Sequence, residues 1–103
     1  MQYERLVGLN ITNDEVYQQY RTAMKPILES YGGGFGYDFK VSEVLFPEAE
    51  KSINRVFTIY FPSQKAMDEF FSNSDYKKVR NLYFKPSVAE TFLLASYKKE
   101  DAH

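Results

Sequence analysis

The 103-residue sequence has no cysteine, no tryptophan and a single histidine, His103, at its last position. Without cysteine there is no disulfide, no thiolate zinc site and no thiol nucleophile. One terminal histidine is a poor ligand for haem or a transition metal, and it leaves a serine nucleophile without its usual base. No cofactor and no metal site are therefore expected. Charge of one sign is missing too: 13 Lys and Arg stand against 14 Asp and Glu, a net charge of -1. That balance argues against the one-sided basic surface that nucleic-acid backbones select, and against a membrane-surface role. No apolar run approaches the ~20 residues of a spanning helix. The polar start, Met1 to Arg5, does not read as a signal peptide. The expectation is a soluble cytoplasmic protein.

What the chain does have is aromatic residues, nine Tyr and nine Phe. Apolar periodicity arranges them in the order strand, helix, strand, strand, helix, strand. The strand runs are Tyr3 to Ile11, Phe35 to Phe46, Ile53 to Phe61 and Val88 to Tyr97; the helix runs are Asn13 to Tyr31 and Gln64 to Phe84. This order predicts an α+β fold, the ferredoxin-like β-α-β-β-α-β sandwich with a four-stranded antiparallel sheet and both helices on one face. At this length it is one domain, residues 1–97, with a charged and frayed tail at 98–103.

Local signals support the division. Thr12 with Glu15 three residues on forms a capping box for the first helix. Pro26 is expected to kink that helix near Thr22 and Ala23. Gly32, Gly33 and Gly34 stop it. Ser63 caps the second helical run, Ser72 to Ser74 interrupt it, and it restarts at Asp75 with Tyr76, Val79, Leu82 and Tyr83 turned inward. Pro86 is expected to end it. Alternation places Phe35, Tyr37, Phe39 and Val41 on the helix-covered face of the second strand. Phe57, Ile59 and Phe61 take that face in the third.

The opposite sheet face then carries Leu6, Gly8, Val56, Thr58, Tyr60, Thr91, Leu93 and Ala95, with Asp38 and Lys40 toward one edge. So apolar a face needs cover. A twofold homodimer, sheet against sheet, supplies it.

Four segments carry a family resemblance: YGGGF at 31–35, RVFTIYFPS at 55–63, FFSNSDY at 70–76 and the closing strand SVAETFLLASY. With the strand order they make the chain similar to the dimeric α+β barrel superfamily, and within it to a bacterial family of small domains of unknown function. The resemblance implies a homodimer. It also brings in wider relatives that are cofactor-independent monooxygenases, muconolactone-type isomerases and haem-degrading enzymes, so it does not choose a reaction.

The glycine-rich stretch 32–36 lacks the Gly-Lys-Ser/Thr of a phosphate loop. Gly34-Phe35-Gly36-Tyr37 matches the centre of an RNA-binding aromatic signature, but without its basic leader and on the second strand instead of the third. The plain reading is a helix stop before an aromatic strand. The polar residues left for chemistry are Asp38, Glu43, Asn54, Arg55 and the tyrosines Tyr20, Tyr37 and Tyr60, and of these Arg55, Glu43 and Asp38 are the catalytic candidates. Arg55 paired with Glu43 across neighbouring strands is the structural reading. A polar group at the mouth of an apolar pocket is the functional one. Such a pocket is expected between the aromatic sheet face and the kinked first helix, near Tyr20, Met24, Tyr37, Arg55 and Phe57, and a small organic acid is the expected ligand. A binding protein or cofactor-free enzyme leads; a structural or regulatory dimer is the alternative.

Overall fold

The computed structural model describes residues 2–48, 50 and 52–100. His103 and the end of the expected tail lie outside them. Strands β1 (Gln2–Ile11), β2 (Gly34–Lys40), β3 (Arg55–Phe61) and β4 (Val88–Lys99) form one antiparallel sheet in the order β2-β3-β1-β4. Helix α1 (Asp14–Ser30) follows β1, and α2 (Gln64–Ser72) and α3 (Ser74–Val79) follow β3. A π-turn, Arg80–Phe84, then leads into a last helical turn, α4 (Lys85–Ser87). This is the ferredoxin-like α+β topology that the element order implies.

The core lies between sheet and helices. Leu9, Phe57, Ile59 and Phe61 from the sheet meet Tyr17, Tyr20, Met24 and Leu28 of α1 and Met67, Phe70 and Tyr76 of α2 and α3. The α1 stripe recurs every three or four residues, which puts it on one side of the helix.

Several boundaries differ from the sequence reading. The α1 cap is Asn13, one residue after Thr12: its side chain accepts from the Val16 amide at 3.1 Å. Thr12 instead donates to the Ser87 carbonyl. The helix passes Pro26 as one element and ends where Gly32 adopts φ +76°, a value that glycine tolerates. Strand β2 stops at Lys40, so residues 41–46 are not strand. β4 continues through Lys98 and Lys99, which pair with Tyr3 and Gln2. Pro86 lies inside α4 instead of ending the helix before it. Leu82, expected inside, is 65% exposed, because the wider π-turn rotates the inward face away from it.

Two register shifts matter more. In β2 the pairing slips between Phe35, opposite Ile59, and Asp38, opposite Phe57. Phe35 and Asp38 therefore share the helix face, whereas Tyr37 and Phe39 turn to the open face, stacked with ring centres 5.4 Å apart. Gly36 permits this, since a Cβ there would collide with Thr58 Oγ1. In β4 the slip lies opposite Leu6 and Val7. It turns Leu93 toward the helices and leaves Phe92 and Leu94 on the open face, where they line a shallow groove with Phe46 and Ile53. The expectations that Tyr37 and Phe39 pack under the helices, and that Asp38, Thr91 and Leu93 belong to the open face, are corrected accordingly. A bulge inverts the alternation beyond it.

Candidate functional site

A cavity of about 290 Å³ opens between the sheet and the helices. Its wall is apolar and aromatic: Val7, Leu9, Phe35, Phe57 and Ile59 from the sheet, Tyr17, Tyr20 and Met24 from α1, and Phe71, Tyr76 and Phe84 beyond it. Arg80, Thr91 and Leu93 are its exposed members and mark the rim. The size is at the lower end for a site that encloses a small ligand.

Two arginines interrupt this wall. Arg21 projects from α1 between three rings, with Cζ 3.9 Å from the centre of Phe35, 4.7 Å from Phe57 and 5.2 Å from Tyr17. Its Nε donates to the Tyr17 hydroxyl at 2.7 Å and its Nη1 to Asp38 Oδ2 at 3.2 Å. Its Nη2 is buried and finds no partner among the described residues. Arg5 sits on central strand β1 with Cζ 5.3 Å from the centre of Phe71. Its Nε is likewise buried without a partner. Buried donors are nearly always satisfied, so two orphans in one cavity call for an explanation. No Asp or Glu is among the lining residues.

Asp38 stands behind Arg21 and not in the cavity wall. It accepts two hydrogen bonds from Arg55, Nε at 2.7 Å and Nη2 at 2.9 Å, besides the one from Arg21. The Arg55 hydrogen bonds, helped by the Arg21 charge, hold its carboxyl below the usual range against the opposing effect of burial. The same pairing raises Arg55. Asp38 is thus a fixed anion that orients two guanidinium groups, a poor starting point for a general base.

On the third side, the Tyr20 and Tyr76 hydroxyls are 2.9 Å apart and hydrogen-bonded. Burial pushes both phenols above their ordinary value, Tyr20 strongly. The π-turn that follows α3 brings Arg80 and Phe84 to the cavity, and such turns are frequent at functional sites.

Of the residues expected from sequence, Tyr20, Met24 and Phe57 line the cavity. Tyr37 lies on the open face, where it borders a wide depression with Glu4, Thr58 and Tyr97. The polar groups there already serve one another: Tyr97 donates to Glu4, and Lys99 Nζ lies 3.5 Å from the same carboxylate. Arg55 is outside the wall, and its partner is Asp38, not Glu43, because the β2 bulge turns Asp38 to the helix face. Glu43 is exposed on the 41–54 connection. Pro26 lines a separate groove with Thr22 and Lys25, so it does not open the cavity.

Arg5 and Arg21 were missed, although each leaves a trace. Arg5 is the charged member of the alternating set Tyr3, Val7, Leu9 and Ile11. Arg21 follows Tyr17 by four residues and precedes Met24 by three, within the apolar stripe of α1. Among the described residues no cluster of three His, Cys, Asp or Glu side chains is placed to hold a metal, and no helix is long and apolar enough to cross a membrane.

Residues 6–97 match the profile of a domain of unknown function, DUF1330. No curated protein matches in sequence. Among solved structures, the protein of unknown function RPA0582 from Rhodopseudomonas palustris is 17% identical, over 98% of this chain and 84% of that one, with a TM-score of 0.79. A dimeric ferredoxin-like protein of unknown function from Jannaschia sp. CCS1 is 10% identical over 96% of this chain and 100% of that one, TM-score 0.59. A protein from Nitrosomonas europaea, provisionally named an antibiotic biosynthesis monooxygenase, is 13% identical over 95% and 89%, TM-score 0.59. At these identities the likeness is one of fold.

Proposed function

Because the chain belongs to the DUF1330 family, whose description assigns no activity, we propose its function from the cavity itself: it binds a small organic acid between helices and sheet, as a homodimer. The observation that carries this reading is the pair of buried, unpartnered guanidinium nitrogens, Arg5 Nε and Arg21 Nη2, in a wall that holds no carboxylate. A carboxylate accepts from such groups with charge-assisted bonds, about twice as strong as neutral ones. The aromatic wall then takes the apolar body of the acid.

The dimer is supported by the open face. Tyr37, Phe39, Phe46, Leu94 and Tyr97 are all exposed, more apolar surface than a lone domain usually presents together. A neighbour of the same fold is described as dimeric. The cavity suits binding better than catalysis, since no carboxylate or histidine among the lining residues offers a base. A cofactor-free reaction of the monooxygenase or isomerase kind would draw its reactivity from the ligand. A purely structural dimer would have no use for two buried guanidinium nitrogens without partners.

Thermal-shift measurement tests the ligand class. A panel of aromatic and alicyclic carboxylates is expected to raise the melting temperature, and the matching neutral amides are not. Equal shifts from acids and amides, or no shift from any acid, contradict the reading.

A further inference from the structure

We propose that the bound acid carries a second oxygen, a hydrogen-bond acceptor set across one ring from its carboxylate, and that the Tyr20–Tyr76 hydroxyl pair receives it. This inference rests on the acid-binding reading above and narrows it.

Two hydroxyls hold two protons, and the bond between them uses one. Whichever hydroxyl accepts keeps its own proton uncommitted. Neither phenol has another hydrogen-bond partner among the described side chains, and both residues are buried, Tyr20 at 6% and Tyr76 at 4% exposure. A buried donor left idle is costly, and a ligand acceptor would satisfy it. Burial raises both phenols, so both remain protonated donors at neutral pH.

The spacing follows from the rings. On one wall the Tyr17 ring neighbours both the Arg21 guanidinium, at 5.2 Å, and the Tyr20 ring, at 5.7 Å. On the other, the Phe71 ring neighbours the Arg5 guanidinium, at 5.3 Å, and the Tyr76 ring, at 5.6 Å. On each side one aromatic ring neighbours both a cation and a phenol. A ligand laid along these walls has the same plan: an anionic end, a flat ring, an oxygen. The cavity of about 290 Å³ accommodates a substituted benzoate.

Calorimetric titration with a matched pair separates this inference from the one beneath it. The probes are 4-acetylbenzoate, which carries the oxygen, and 4-isopropylbenzoate, which replaces it with a methyl group of similar size. The wild-type protein is expected to prefer the acetyl acid by about tenfold, the weight of one buried hydrogen bond. The double variant Tyr20→Phe, Tyr76→Phe is expected to lose that preference and keep its affinity for the isopropyl acid. A double variant is needed because removing one hydroxyl frees the other to donate. Replacing both leaves no buried hydroxyl unpaired, so folding is little affected. Equal binding of the two acids by the wild type, or a preference that survives in the double variant, overturns the tyrosine assignment while leaving acid binding in place. Failure of both acids to bind overturns the acid-binding reading and this inference with it.

Discussion

Replacing Arg5 with Met is expected to raise the melting temperature by about 5 °C and to abolish benzoate binding. Arg5 Nε is buried on the central strand without a partner. An unsatisfied buried donor costs about 1 kcal/mol or more, and a domain of this size gains ~4–8 °C per kcal/mol. Met keeps the apolar stem over Phe71 and adds a favourable sulfur–aromatic contact. A change that stabilises the fold while it removes function is expected where a site holds strain for its ligand. Scanning fluorimetry and calorimetric titration read the two effects separately. A variant that is less stable and still binds acid refutes the assignment, for Arg5 is then a structural residue. The Arg21 guanidinium is less suited to this test, because its loss would also leave Asp38 with one partner fewer.

Leu94→Asp is expected to convert the proposed homodimer to a folded monomer, whereas Leu93→Asp is expected to leave it intact. Leu94 is 47% exposed in the single chain and lies beside Phe92 on the open face. A carboxylate there is hydrated in the monomer and buried without a partner in the dimer, a cost of several kcal/mol that a small interface does not absorb. Leu93, one residue earlier, lies at the rim of the cavity on the helix side. Light scattering at micromolar concentration is expected to give twice the 12.1 kDa chain mass for the wild type and Leu93→Asp, and the chain mass itself for Leu94→Asp. Circular dichroism is expected to show Leu94→Asp folded. A monomeric wild type, or a dimeric Leu94→Asp variant, contradicts the open-face interface.

The contrast between residues 93 and 94 marks how far periodicity reaches. The order of elements, the stripe Tyr20, Met24, Leu28 and the alternation Phe57, Ile59, Phe61 are all legible, because each repeats with the period of its element. Strand faces survive only to the first bulge. In β2 the slip after Phe35 moved Tyr37 out of the expected pocket and brought Asp38 to the helix face. In β4 a second slip exchanged the roles of Leu93 and Leu94. Gly36 was the visible sign of the first, since glycine within a strand marks a close approach or a bulge; β4 carried no such sign. The Arg55 partner differs for the same reason: Asp38 is reachable only through the bulge, and Glu43 lies on a connection that sequence alternation reads as strand.

The place of the cavity is legible in the sequence, its polar lining is not. A cavity does lie between α1 and the aromatic sheet face, lined by Tyr20, Met24 and Phe57, but it does not open beside Pro26. Its chemistry was missed because both arginines occur inside apolar patterns, where charge reads as noise. A charged residue on a core face has to be matched to a partner. Arg21 has Asp38 for one nitrogen and none for another, and that inequality appears only in three dimensions.

The claim that the cavity is an acid-binding site is tested most directly by the crystal structure of the protein grown with 4-bromobenzoate. The bromine, located by its anomalous signal, is expected beside Tyr20 and Tyr76, with the ring near Tyr17 and Phe71 and carboxylate oxygens about 2.8 Å from Arg5 Nε and Arg21 Nη2. Bromobenzoate bound elsewhere or not at all, with both nitrogens paired to main-chain carbonyls or ordered water, would contradict it.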